Sequence, residues 1–292
     1  MTLSHAVGLD IGGTKIEAAV VSQTGVVTHA VRHNTPSTAQ ETAELILTLT
    51  QDLRAKQPDV VGVGFSIPGS LDSQTKILRN APNSPAINQT DFFPKLISKI
   101  QLPCKIENDA NCLMLSEVRF GAAHGFHNAV GIIMGTGFGS GVWLQDRLFV
   151  GQSGLAPELG HTILDINGRT CLCGNRGCVE AYLSGPSILK RYFEAGGNLC
   201  QSTEEVFDSV DPLAKTIVEE TLHFFDRFMA MLVSVYDPEV IVLGGGLSLQ
   251  KMYYGREEKI ARYVFGSNEM VKIKPAVHGD ASGKLGAAAL FF

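Results

Sequence analysis

Charge is scarce in this chain and never runs in one sign: Asp, Glu, Lys and Arg make up 18% of its 292 residues, and the formal net charge is -5. Without a Lys/Arg run the chain has little with which to neutralise successive phosphates, so nucleic acid is not an expected partner. An apolar run of eighteen residues is also missing, which leaves no candidate membrane span. The opening residues MTLSHAVGLD lack the basic region and apolar core of a secretory signal. Low-complexity tracts and long linkers are absent. What remains is 45% hydrophobic, the balance of a soluble globular protein long enough for two lobes around a cleft.

Six cysteines are present. Cys104, Cys112 and Cys200 are scattered and read as small buried hydrophobes. The other three, Cys171, Cys173 and Cys178, crowd into ELGHTILDINGRTCLCGNRGCVE, residues 158–180, together with His161. Three thiolates and one imidazole form the donor set of a closed, structural tetrahedral zinc site. Gly174 and Gly177 let the chain turn tightly around one ion. The spacing, C-x-C-x4-C with the histidine ten residues earlier, differs from the paired CxxC hooks of zinc ribbons. A cluster of reduced cysteines or a local disulfide is the rival reading, and it leaves His161 unexplained. A reducing cytoplasm suits this cysteine usage.

Along the chain, AVGLDIGG and IEAAVVS read as a strand pair with a glycine connection, and ETAELILTLTQDLRAK as a helix by its apolar spacing. VVGVGFSI is a buried strand ended by Pro68 and Gly69. DFFPKLISKI is helical, CKIE is a strand stopping at Asn108 and Asp109, and ANCLMLSEVRFGAA is helical again. Beyond these come two glycine-joined strands in AVGIIMGTGFGSGVWLQDRLFVG. Further on, a long amphipathic helix precedes Asp237 and Pro238, and the strand EVIVLGGG follows. Alternation of helices with buried strands predicts an α/β fold. The spacing puts one domain at residues 1–115 and a second at 116–279.

Three strands empty into glycine-rich turns. DIGGTK offers Asp10 for Mg²⁺, and Gly12, Gly13, Thr14 and Lys15 for phosphate. The GxxxxGK[ST] spacing of a P-loop is missing. GTGFGSG supplies Gly135, Thr136, Gly137 and Gly139, and a strand rather than a helix follows it, which excludes a dinucleotide fingerprint. Gly244, Gly245 and Gly246 allow close approach of a nucleotide.

Taken in order, DIGGTK, SIPG at 66–69, ENDANC at 107–112, GTGFGSG, ELGH, CLCGNRGCVE, VLGGGLS and HGDASGKLGAA resemble the ROK sugar kinases along essentially the whole chain. The wording is close to bacterial N-acetylglucosamine kinases and to fructokinases. The resemblance implies an actin-like, two-domain fold with ATP and sugar between the lobes, a homodimer, and a final helix, about residues 280–292, returning to the first domain. It makes Asp109 the catalytic base and puts Ser66, Gly69, Asn108, Asp109, Glu158, His161 and Glu180 on the sugar. The cofactors expected are ATP, Mg²⁺ and structural Zn²⁺ on His161, Cys171, Cys173 and Cys178. The expected reaction is ATP-dependent phosphorylation of N-acetyl-D-glucosamine at its 6-hydroxyl. The alternatives are a fructokinase, a kinase of another hexose or of N-acetylmannosamine, and a sugar-binding regulator that has lost transfer. The family's repressors carry a DNA-binding extension ahead of the first phosphate motif, and only a few residues precede it here.

Overall fold

The computed structural model describes residues 4–266 and 270–292. The chain divides into two compact units. The first takes the described chain up to Gly125, then Arg147–Pro157 and Val277–Phe292; the second takes Phe126–Asp146 and Glu158–Ala276.

In the first unit, β1 (His5–Ile11), β2 (Lys15–Ser22), β3 (Val27–Asn34), β4 (Val60–Ile67) and β7 (Cys104–Asn108) form one sheet in the order β3-β2-β1-β4-β7. A small hairpin, β5 (Ser70–Leu71) with β6 (Leu78–Arg79), follows β4. The strands β1, β4 and β7 run parallel, while β1–β2 and β2–β3 are antiparallel. Parallel central strands covered on both faces become continuous apolar runs, and β4 is buried at all but one residue; antiparallel β2 is buried to the same extent. One face packs against α1 (Ala39–Lys56) and α2 (Phe92–Ile97), and its core includes Leu9, Ile46, Leu53, Phe65 and Phe93. Thr38 opens α1 by accepting the Glu41 N–H, one of the orphan donors of a helix start.

The chain's end covers the other face of the same sheet. There α9 (Ser282–Ala289) lies against β1, β4 and α3 (Asp109–Phe120). Backbone meets backbone in this contact. A Cβ on Gly8 would fall 1.9 Å from the Lys284 carbonyl oxygen, one on Gly64 1.8 Å from that of Ala287, and one on Gly286 1.8 Å from that of Cys112. The segment is tied in by Glu117, a fully buried carboxylate that accepts the N–H groups of Ala122, Val277 and His278 at 2.7, 2.9 and 3.2 Å. Residue 116 lies inside α3, and the first unit continues to Gly125.

In the second unit, β8 (Asn128–Met134), β9 (Phe138–Leu144), β11 (Val240–Gly244) and β12 (Lys272–Pro275) lie in the order β9-β8-β11-β12, after the two-residue β10 (Arg147–Leu148) of the first unit is set aside. The pairs β8–β11 and β11–β12 are parallel and β8–β9 is antiparallel. Four helices follow β10 in sequence, α4 (Glu180–Leu183), α5 (Gly185–Glu194), α6 (Thr203–Asp208) and α7 (Pro212–Tyr236), and α8 (Glu257–Ala261) follows β11. Proline at its first turn suits α7, because that N–H would be unpaired in any case. Asp211 caps its start and Asp237, at φ 44°, ends it. Phe228 of α7 meets Phe138 of β9 edge to face, centroids 5.3 Å apart.

Candidate functional site

The three parallel strands of the first unit deliver their carboxyl ends to one edge, the place where open α/β sheets bind ligands. Asp10 stands near the end of β1, Ser66 near the end of β4, and Asn108 ends β7. Ser66 Oγ donates to Asp10 Oδ1 at 2.7 Å. Burial raises the Asp10 carboxyl above its usual range, with Glu17 adding to the rise and Ser66, Lys15 and Lys284 opposing it. The turn beyond β1 is closed by a Gly12 N–H to Lys15 carbonyl bond of 2.8 Å, and Thr35 Oγ1 donates to the Gly12 carbonyl at 2.7 Å. Gly13 fits under Asn83, whose carbonyl oxygen would be 2.1 Å from a Cβ there. Lys15 Nζ sits 3.2 Å from Asp280 and 3.7 Å from Glu17.

Asn108 and Asp109 occupy the junction from β7 into α3. Asn108 caps the helix, its Oδ1 accepting the Ala110 N–H at 2.9 Å, while its Nδ2 donates to the Gly69 carbonyl at 2.6 Å. Asp109 Oδ1 accepts the same Ala110 N–H at 2.8 Å. A carboxylate in the first turn is favoured there by the helix dipole. Glu107 was quoted in the motif without a role. Its Oε1 accepts from Asn108 N–H and Asn111 Nδ2, both at 2.9 Å, so it braces the junction from behind. Gly283 is a second residue that motif reading passed over. It lies against Asp10, leaving only 2.3 Å between a would-be Cβ and the carboxyl carbon. That approach depends on long-range folding and has no local signal.

In the second unit, the β8–β9 turn holds Gly135, Thr136 and Gly137, with Gly135 N–H donating to the Gly137 carbonyl at 3.1 Å. Gly139 lies within β9, opposite Ile133. Gly244 ends β11, Gly245 turns at φ 80°, and Gly246 opens the short turn to Leu249. Glu180 Oε2 accepts the Phe138 N–H at 3.0 Å, which brings one carboxylate of the cysteine loop to the end of the glycine turn. Glu158 is pushed upward by burial first, with Glu180 raising it further and His161 opposing. Ser140 Oγ accepts the Leu159 N–H at 3.1 Å and holds the ELGH segment against β9.

The loop from 158 to 180 is pinned by its own backbone, with bridges between Ile163 and Cys178 and between Thr170 and Arg176. Its one imidazole and three thiols come together: His161, Cys171, Cys173 and Cys178 each offer an atom, all within 4.8 Å of one another. Cys171 Sγ is 3.7 Å from His161 Nδ1, and Cys173 Sγ is 3.6 Å from Cys178 Sγ. Metal–sulfur bonds of about 2.3 Å in a tetrahedron give edges of roughly 3.7 Å, which these two separations match. All six cysteines are free thiols, and none is paired as the disulfide alternative requires. Cys173 is held at about 7, chiefly by the Asn175 N–H.

The ROK family model matches residues 6–292. The chain belongs to the ROK family. It is 33% identical to an N-acetyl-D-glucosamine kinase of Haemophilus influenzae, across 97% of this chain and 98% of the relative. Among solved structures it resembles the ROK hexokinase of Thermus thermophilus, with a TM-score of 0.89 and 31% identity over 98% of this chain and 97% of the other. It also resembles a ROK glucokinase of Streptomyces griseus solved with glucose and AMPPNP, with a TM-score of 0.78 and 28% identity over 98% of each chain. The α/β, actin-like kinase fold expected from the sequence is therefore the fold found, and the chain stands among the family's ATP-dependent sugar kinases.

Proposed function

We propose that this chain transfers the terminal phosphoryl group of ATP to the 6-hydroxyl of N-acetyl-D-glucosamine. The observation that carries the reading is the β7–α3 junction, where Asp109 sits at a helix start beside Asn108, a residue tied to Gly69 at 2.6 Å. Phosphoryl transfer asks chiefly for positioning and charge stabilisation. Asp109 accepts the proton of the attacking sugar hydroxyl. Asn108, Ser66 and Gly69 orient neighbouring hydroxyls, and Glu158, His161 and Glu180 bind others. Gly12, Gly13, Thr14, Lys15, Gly135, Thr136, Gly137 and Gly139 hold phosphates, Gly244–Gly246 lie under the nucleoside, and Asp10 is the residue that would hold Mg²⁺ beside them.

Zinc fits His161, Cys171, Cys173 and Cys178 by donor type and spacing. With these four residues as its ligands it would serve as a structural clamp rather than as a reactant. The thiols then do no chemistry and hold His161 and the neighbouring glutamates in place. Thiolate ligands persist in a reducing compartment, which supports a cytoplasmic protein. Among the described residues no helix is long and apolar enough to cross a membrane. The working unit is a homodimer.

Amino-sugar preference is supported by the Haemophilus relative. Glucose, fructose and N-acetylmannosamine are the competitors, and the regulator reading survives only if transfer is absent. The test is kcat/KM for ATP-dependent phosphorylation across these four sugars. A preference for N-acetylglucosamine upholds the proposal, a preference for another sugar replaces the substrate, and no turnover by folded, zinc-loaded protein removes the catalytic reading.

A further inference from the structure

A row of polar side chains runs across all five strands of the first sheet, near its ligand edge. Glu107 of β7 is in register with Ser66 of β4, Ser66 with Asp10 of β1, Asp10 with Glu17 of β2, and Glu17 with Arg32 of β3. Register partners share a face of the sheet. Three carboxylates therefore lie in one line, and two of them, Asp10 and Glu17, are direct neighbours. Like charges placed opposite one another destabilise a strand pair unless something compensates them. Glu17 is buried, so water compensates little.

The compensation comes from two lysines on one oxygen. Lys15 Nζ and Lys284 Nζ stand 3.7 and 3.5 Å from Glu17 Oε2, while Arg32 approaches Oε1 at 3.9 Å. The Lys284 side chain is 12% exposed and that of Arg32 62%, so Lys284 is the shielded partner. Its place is costly in local terms, because it lies in the first turn of α9, where the helix dipole disfavours a cation. The same turn sets Gly283 against the Asp10 carboxyl. A lysine there answers to the carboxylate row and not to its own helix.

Lys15 has a second neighbour, Asp280, at 3.2 Å. That carboxylate is 85% exposed, and a pair so exposed holds weakly. Glu17 is the stronger captor, since its side chain is 10% exposed and less screened by salt. A lysine engaged by a buried carboxylate must leave it before it can meet a phosphate.

We propose that Lys284 is a positioning residue for the phosphate turn: it stays with Glu17 as its counter-ion and so frees the Lys15 ammonium for a nucleotide phosphate. This rests on the reading of Lys15 as a phosphate ligand and extends it to the helix that returns from the end of the chain. With Lys284 in place, the charge of Glu17 is met without Lys15, and an incoming phosphate competes only with the exposed Asp280. Without Lys284, Glu17 holds Lys15 back. All of these residues belong to the first unit.

The experiment is calorimetric titration of the zinc-loaded protein with AMPPNP and Mg²⁺, which reads nucleotide binding whatever the sugar. Lys284→Met should raise Kd about fivefold, the scale of one partly exposed ion pair, and Lys284→Arg should stay close to wild type. A rise of less than about threefold in the methionine variant overturns the proposal on that same scale. In a Lys15→Met background, Lys284→Met should change Kd no further, because its effect passes through Lys15; an added loss there means that Lys284 meets the nucleotide itself, and overturns it too. Glu17→Gln with Lys284→Met removes captor and counter-ion together and should restore wild-type binding, which a general loss of structure would not allow. That double variant leaves no buried carboxylate unpaired at position 17, so it serves if the single variant fails to fold, and weak binding by it overturns the proposal. If Lys15→Met alone leaves Kd unchanged, the phosphate reading of Lys15 falls and the proposal with it. If Lys15→Met weakens binding while Lys284→Met does not, the proposal alone falls.

Discussion

Asp109 and Asp10 are two carboxylates with opposite demands. Asp109 stands at a helix start and accepts a main-chain N–H. Asp109→Asn keeps the shape and the helix cap from Asn108, so the variant should fold and lose about 10²–10⁴ in kcat; steady-state assays beside thermal melts check this. Asp10 is different, because burial raises its folded pKa above the unfolded value of 3.8. Between those two values the folded state keeps a proton that the unfolded state has released, so stability falls as pH rises through the folded pKa. At neutral pH the ionised carboxylate is a cost to folding. Asp10→Asn should therefore raise Tm at pH 7, with a gain that shrinks toward pH 4, while it depresses phosphoryl transfer. Equal melting of the two proteins at pH 7 would remove this account. Asp109 was legible because it follows a strand that stops on a polar residue, and Asp10 because it opens the glycine turn DIGGTK. Glu107 was not, since a glutamate inside a short strand reads as solvent-facing until its bonds to Asn108 and Asn111 are seen.

At the scale of elements, seven strands were readable from apolar runs bounded by glycine or polar stops, and β3 was not. Its burial pattern is exposed at every position but Val31, so it carries no apolar signal and forms because β2 offers an edge. β12, four residues of which one is buried, escaped for the same reason. Three glycines outside the expected ligand turns answer a packing need instead. Gly8, Gly64 and Gly286 let α9 approach β1, β4 and α3 to backbone distance. Gly64→Ala would push a methyl into the Ala287 carbonyl, and neither partner is a flexible side chain. It should cost about 1–3 kcal/mol, read as a lower urea midpoint. The cysteine loop was the most readable element, because donor type and turn glycines both lie within twenty-three residues.

Across the whole molecule, the His161–Cys171–Cys173–Cys178 cluster and the two carboxylates that flank its loop, Glu158 and Glu180, belong to one unit. Holding the loop is the task assigned to zinc, so chelation should raise KM for sugar more than it lowers kcat, and should lower Tm. Metal analysis of the purified protein should give about one zinc per chain, with loss in Cys173→Ser. An unchanged sugar KM after complete zinc removal would detach the loop from substrate binding. The return of the C-terminal helix to the first unit came only from family resemblance, since no local pattern tells a helix which distant strand it covers.

That return has a consequence for how the chain is made. Strands β1 and β4 present glycines to α9, and α9 is built from residues near the very end of the sequence. While the chain is still emerging from the ribosome, the first sheet to be synthesised lacks one of its coverings, whereas the second unit, complete at Ala276, has every residue it needs. The unit begun first thus needs a helix that is synthesised only after the second unit is complete, and until α9 exists that face of β1 and β4 has no cover.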